Sequence, residues 1–208
     1  MNLAREKAAA LPLAIVALFL GACGATRPSK YYQLTIPGEA SAGPAADPAP
    51  APVTLLVGNL FAPDLYREDR IVYSTAGEQM GTYEYERWAE PPAEMIQEVL
   101  LRELRSSGRY RAVYMHRSDM NGDFSLRGRL YDFKEVSGNG MVARLKVDFE
   151  MRDIKNGATV WTHYYEHDEP VSGKNVPAVV AALDKNVQRA VKEVLEGLDQ
   201  YFASHPPK

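Results

Sequence analysis

The chain has a single cysteine, Cys23, in 208 residues, so it cannot form an internal disulfide, and the thiol needs another use. It also lacks an apolar run long enough to cross a bilayer: the stretch from Ala8 to Leu20 (AAALPLAIVALFL) covers 13 residues and contains Pro12, against the roughly 20 that a spanning helix requires. Cationic excess is missing too. Twenty-four Lys and Arg face 27 Asp and Glu, a formal charge of −3, which gives no electrostatic footprint for nucleic acid. The nucleophile elbow G-x-S-x-G, the phosphate loop G-x-x-x-x-G-K-[ST] and the dinucleotide fingerprint G-x-G-x-x-G do not occur, and no other pattern of paired nucleophile and base replaces them. The expectation is a protein that is not an enzyme and takes no cofactor.

The N-terminus gives the cysteine its use. Arg5 and Lys7 form a short positive region, the apolar run follows, and Leu20-Gly21-Ala22-Cys23 closes it. That order is the order of a secretory signal segment. Its last four residues resemble a bacterial lipobox, in which small residues let the peptidase approach the backbone before cleavage ahead of the cysteine. Cys23 is thus the expected lipid-attachment residue, with a diacylglyceryl group on sulfur and a further chain such as palmitate on the freed amine. The competing reading is an ordinary signal peptide with a chance cysteine near its end. Two or more acyl chains anchor stably where one does not, at about 0.8 kcal/mol per buried CH₂. Residue 24 is Gly rather than Asp, and an Asp there holds enteric lipoproteins at the inner membrane. The expected location is the outer membrane, periplasmic face.

Removing residues 1–22 leaves 186 residues with 22 Lys and Arg against 26 Asp and Glu, enough chain for one sizeable core. Residues 23–30 read as a lipidated tether and 31–203 as one domain, interrupted by an Ala- and Pro-rich loop at 37–52 (PGEASAGPAADPAPAP). Tyr31 to Ile36 reads as a first strand, and Val53 to Asn59 as a buried one. Arg70–Ser74 and Thr82–Glu86 read as a hairpin, and 61–69 as irregular. Pro92 suits a helix start, Met95, Ile96, Val99, Leu100 and Leu104 form its apolar face, and Gly108 suits the position just past its end. Strands follow at Tyr110–Met115, Asp123–Glu135, Met141–Met151 and Thr159–Tyr165, with turns at Ser137–Gly140 and Lys155–Gly157. Met141, Ala143, Leu145, Val147, Phe149 and Met151 alternate with charged residues, the pattern of a strand buried on one face. A long helix from about Val176 to Phe202 carries Val176, Val180, Leu183, Val187, Val191, Val194, Leu198 and Tyr201 on one stripe. The expected fold class is α+β, an antiparallel sheet with two helices, one long and C-terminal, packed on one face.

Candidate sites beyond Cys23 are few. His163 and His167, close to Asp168 and Glu169, have helical metal-ligand spacing but fall on a strand without a third ligand at a suitable spacing. Asp119 and Asp123 around Asn121-Gly122 resemble a calcium-loop fragment but lack its bidentate Glu; a turn is the simpler reading. Neither is taken as a metal site. Arg127, Arg129, Arg144 and Lys146 share the outer face of the last strands with Asp148 and Glu150, either as a basic strip for an acidic partner or as ordinary cross-strand pairs. Tyr31, Tyr32, Tyr73, Tyr83, Tyr85 and Trp88 cluster in the first half, as core and cross-strand residues or as an interface.

The chain is similar to the ABC-type transport auxiliary lipoprotein family, which includes paraquat-inducible protein C. The resemblance rests on Tyr31-Tyr32-Gln33-Leu34 soon after the cysteine, Val53 to Val57, Arg70-Ile71-Val72-Tyr73 and Trp88-Ala89-Glu90-Pro91-Pro92. Leu126-x-Gly128-x-Leu130 and the long final helix follow in the family's order. Family members often carry Arg-Pro before the Ile/Leu-Val pair; here Ile71 follows Arg70 directly. The resemblance implies a role beside an MCE-domain protein and an ABC permease and ATPase that move phospholipids or other hydrophobic molecules between the two membranes. In that role the lipoprotein docks the assembly, as a homo-oligomeric ring of subunits. A scaffolding or assembly lipoprotein of the cell envelope is the alternative.

Overall fold

The computed structural model describes residues 27–36, 51–75, 79–117, 120–138 and 140–206. Cys23 and the first half of the tether (23–26), most of the Ala/Pro-rich loop (37–50), Asp119 and Asn139 lie outside them.

The strands are β1 (Lys30–Tyr32), β2 (Ala51–Phe61), β3 (Arg70–Ser74), β4 (Met80–Trp88), β5 (Tyr110–Met115), β6 (Phe124–Ser137), β7 (Met141–Asp153) and β8 (Thr159–Pro170). The helices are α1 (Pro92–Ser106) and α2 (Val176–Ser204), with a 3-10 turn at Asp64–Tyr66. Together they make an α+β fold: one eight-stranded sheet with both helices against it.

The antiparallel expectation holds for part of the sheet. β6, β7 and β8 form an antiparallel meander, and β3 pairs β4 the same way. The sheet is nevertheless mixed, because β1 runs parallel to β4, β2 parallel to both β5 and β6, and β3 parallel to β6. Alternation along a strand reports which face is buried and says nothing about a neighbour far away in the chain; long connections and the α1 crossover create these parallel pairs. β6 is the spine. Its first half pairs β2 and its second half β3, while β7 lines its other edge throughout.

β2 is buried on both faces, with Leu55, Leu56 and Val57 all within the core, as a strand inside a parallel arrangement is. A bulge in β6 between Leu130 and Asp132 lets Leu130 and Phe133 both face inward; a regular pleat would put Asp132 there instead. β2 also starts earlier than expected, at Ala51. β1 ends earlier, at Tyr32. Beyond it Leu34 is buried, the Thr35 N–H donates to Asp184 Oδ1 (2.8 Å) and Gln188 Nε2 donates to the Thr35 carbonyl (2.9 Å). Side chains of α2 thus take over the hydrogen bonds that a longer β1 would have made.

α1 starts at Pro92, which lacks the N–H the first turn cannot use, and Gly108 takes φ 63° just past its end. In α2, Asn175 caps the N-terminus by accepting from the Ala178 N–H (3.0 Å). The stripe Val179, Leu183, Val187, Val191, Val194 and Leu198 packs onto the inward row of β7, from Ala143 to Met151. Asn186 sits on that stripe, fully buried. It accepts from the Tyr165 hydroxyl (2.5 Å) and donates to the carbonyls of Ala143 (3.0 Å) and His167 (2.9 Å).

Candidate docking groove

The Trp88–Pro92 segment is held from both sides. The Trp88 N–H donates to the Asp69 carbonyl (2.6 Å), the Ala89 N–H to the Tyr32 carbonyl (2.7 Å), and the Trp88 ring packs at 5.3 Å from Phe133. This fixes where α1 begins. Beside that start, β2 runs out at Leu60 and Phe61 after a register shift between Val57 and Leu60. Between them lies a groove of about 910 Å³, lined by Ile36, Asn59, Leu60, Phe61, Ala62, Arg67, Pro91, Ala93 and Met115, with Glu90 just before α1 and Glu94, Gln97 and Glu98 along it. Its floor is largely apolar, and its rim carries three carboxylates, Glu90, Glu94 and Glu98, against one cation, Arg67, which is paired with Asp64. Glu98 is paired with Arg102 (2.6 Å), whereas Glu90 and Glu94 stand exposed.

Phe61 is the pivot of this region. It is 55% exposed and also lines a second depression, of about 500 Å³, on the sheet face away from the helices. The backbone of Gly128 and Phe149 floors that depression, and Arg127, Arg129, Asp148, Glu150, Thr162 and Tyr164 rise around it. Gly128 is required here: a Cβ at this residue would lie 2.2 Å from the Asp148 carbonyl oxygen and 2.8 Å from Leu60 Cδ1.

The basic strip is largely neutralised across strands. Arg127 pairs with Glu150, Arg144 with Asp168 through two bonds of 2.7 Å, and Lys146 with Glu166 at 2.7 Å. These contacts hold the Arg144 and Lys146 pKa values above their usual values and the Asp168 and Glu166 carboxyls below theirs, chiefly through the hydrogen bonds themselves. Asp148 accepts from Tyr131 (2.7 Å). The outer face thus carries cross-strand pairs with exposed Tyr131 and Tyr164 between them.

The histidines are not brought together for a metal. His163 Nε2 lies 3.3 Å from Glu193, and His167 Nε2 lies 3.3 Å from Glu169. Among the described residues no cluster of three or more His, Cys, Asp or Glu could hold a metal ion. Asp123 fastens the start of β6 to β2: its Oδ2 accepts from the Thr54 N–H (2.8 Å), and its own N–H donates to the Thr54 carbonyl (2.9 Å). The aromatics of the first half divide. Trp88 is core, Tyr73 and Tyr83 meet edge to face at 5.1 Å, Tyr32 donates to Glu86 (2.6 Å), and Tyr31 is 64% exposed. Burial and the Glu86 contact push the Tyr32 hydroxyl up to about 12.

Sequence reasoning missed the groove, since its lining comes from five separate segments. It named Glu169 only as a neighbour of the histidines and missed its role: Glu169 is buried against α2 and held by Lys185 and Arg189 (2.9 Å); those bonds, Lys185 first, keep its pKa below the usual carboxylate value.

Residues 32–195 match the family described as the ABC-type transport auxiliary lipoprotein component. The chain belongs to this family. It is by membership an auxiliary lipoprotein of ABC-type transport, a membrane-anchored protein of the cell envelope. No curated protein matches it. Protein XCC0632 from Xanthomonas campestris is similar in structure, with a TM-score of 0.73 at 18% identity over 85% of this chain and 98% of that one. So is the hypothetical protein CT253 from Chlamydia trachomatis, with a TM-score of 0.53 at 12% identity over 74% of this chain and 99% of that one. At these identities the likeness is one of fold.

Proposed function

We propose that this auxiliary lipoprotein is a non-enzymatic docking subunit, held by acyl chains on Cys23 at the periplasmic face of the outer membrane. It captures the end of an MCE-domain assembly that an ABC permease and ATPase drive from the inner membrane, and so serves lipid transport between the two. The family match across residues 32–195 carries this reading. The groove beside α1 supports it: an apolar floor with an exposed aromatic and an acidic rim suits a protein segment with apolar anchors and cationic flanks. Its mechanism is positional. The anchor fixes the domain at one membrane, and energy comes from the partner.

The test is affinity purification of the lipoprotein from a detergent-solubilised envelope, beside the Phe61→Asp variant. An MCE-domain protein retained by the native chain and lost with Phe61→Asp is the expected result. A native chain that retains no MCE-domain protein would refute the docking role. Density-gradient separation of the two membranes checks the location.

A further inference from the structure

We infer that the domain stands on the lipid headgroups with one end of its sheet, the end where β3, β6 and β8 finish. Strand register locates that end. Met80 of β4 pairs Ser74 of β3, Ser74 pairs Val136 of β6, Val136 pairs Val142 of β7, and Val142 pairs Pro170 of β8. These five residues form one row across the sheet. Just beyond it lie the described tip residues Thr75, Gln79, Gly138, Gly140 and the 171–175 segment that leads into α2.

The tether sets the height of this row above the membrane. Lys30 of β1 is level with Glu86 of β4, and β1 and β4 run parallel. From Glu86 down to Met80 is six strand residues, about 20 Å. From Lys30 back to Cys23 is seven residues, which reach at most about 25 Å when fully extended. The start of this path is fastened: Lys30 bonds to Glu86 (3.2 Å), and the Arg27 guanidinium lies 5.5 Å from the centre of the Tyr85 ring. An acylated Cys23 can therefore clear the row by at most about 5 Å, which is about the depth of one headgroup layer.

The chemistry of the tip agrees. Met80 is 45% exposed, Met141 and Val171 are half-buried, and Lys174 is exposed. The described tip residues carry no carboxylate; Glu78 of the β3–β4 loop lies outside the described residues. Apolar side chains with a cation suit a headgroup surface. Asn156 and His205 mark the opposite end, about 45 Å away along β6.

This inference rests on Cys23 being acylated. Full-length lipoprotein carrying Gly138→Cys, Lys174→Cys, Asn156→Cys or Tyr31→Cys is labelled with an environment-sensitive fluorophore; acylation leaves Cys23 unreactive. Gly138 tolerates the change, with nothing within 4 Å of an added Cβ. Each form is reconstituted into vesicles of phosphatidylethanolamine and phosphatidylglycerol bearing a nitroxide on the headgroup. Roughly half or more of the signal is lost at 138 and 174, and under about a tenth at 156, because 156 lies at the far end of a sheet ~45 Å long. A Gly/Ser insertion after Thr26 relieves the quenching at 138 and 174. Quenching confined to Tyr31, or equal at all sites, overturns the posture while intact mass still shows acyl chains. An intact mass without them overturns the anchor instead.

Discussion

Asn186 offers the sharpest test of how α2 is locked to the sheet. It is fully buried on an otherwise apolar stripe and satisfies its amide through Tyr165 and the carbonyls of Ala143 and His167. Truncation in Asn186→Ala removes two donors, at about 1 kcal/mol each, and leaves a buried hydroxyl without its acceptor, at about 1–3 kcal/mol. The expected loss is about 3–5 kcal/mol, a large share of the stability of a domain this size. Urea denaturation followed by fluorescence of Trp88 and Trp161 measures it. Combining Asn186→Ala with Tyr165→Phe removes both ends of one bond, so the double variant is less unstable than the sum of the singles by about 1–2 kcal/mol. Asn186→Asp adds a signature in pH. A buried carboxyl facing two carbonyl oxygens has its folded pKa raised above its unfolded value, so stability is present at low pH and lost as pH rises through that folded pKa. A loss below about 1 kcal/mol for Asn186→Ala, or a coupling near zero, would refute the reasoning.

Gly128→Ala places a methyl against the Asp148 carbonyl at 2.2 Å and lowers stability by about 3 kcal/mol or more, whereas Gly138→Ala changes it by under about 0.5 kcal/mol; parallel urea melts decide. Glu169 is buried with its pKa lowered by Lys185 and Arg189, so its contribution is present above its ordinary value of 4.5 and fades as pH falls through its lower folded value. Thermal melts between pH 3 and pH 7, ~4 units apart, show a steeper acid loss for the native chain than for Glu169→Gln. Phe61→Asp leaves the melting temperature within about 2 °C of the native value, because the side chain is largely exposed, while partner capture is lost.

The sequence makes some of this fold readable and hides the rest for identifiable reasons. β7 is legible because Met141 to Met151 alternate over a face that α2 covers, so a period of two survives in the residue order. α2 is legible for the same reason at a period near 3.6. The parallel pairing of β2 with β6 is not, since Leu55 and Phe124 are partners only in space. The β6 bulge hides likewise: Leu130 and Phe133 break the alternation, and only the register with β7 explains it. Asn186 did leave a signal, a lone amide between Leu183 and Ala190 on an apolar stripe. Phe61 left none, because an exposed aromatic at the end of a strand reads like any other loop residue until Pro91 and Ile36 are seen beside it.

Intact-mass and fragment analysis of the mature N-terminus, on protein extracted from membranes, tests the anchoring on which the docking role depends. The account predicts a chain that begins at Cys23 and carries a diacylglyceryl group on sulfur and a third acyl chain on the amine. A mature chain that begins elsewhere, or a Cys23 with a free thiol, would contradict it.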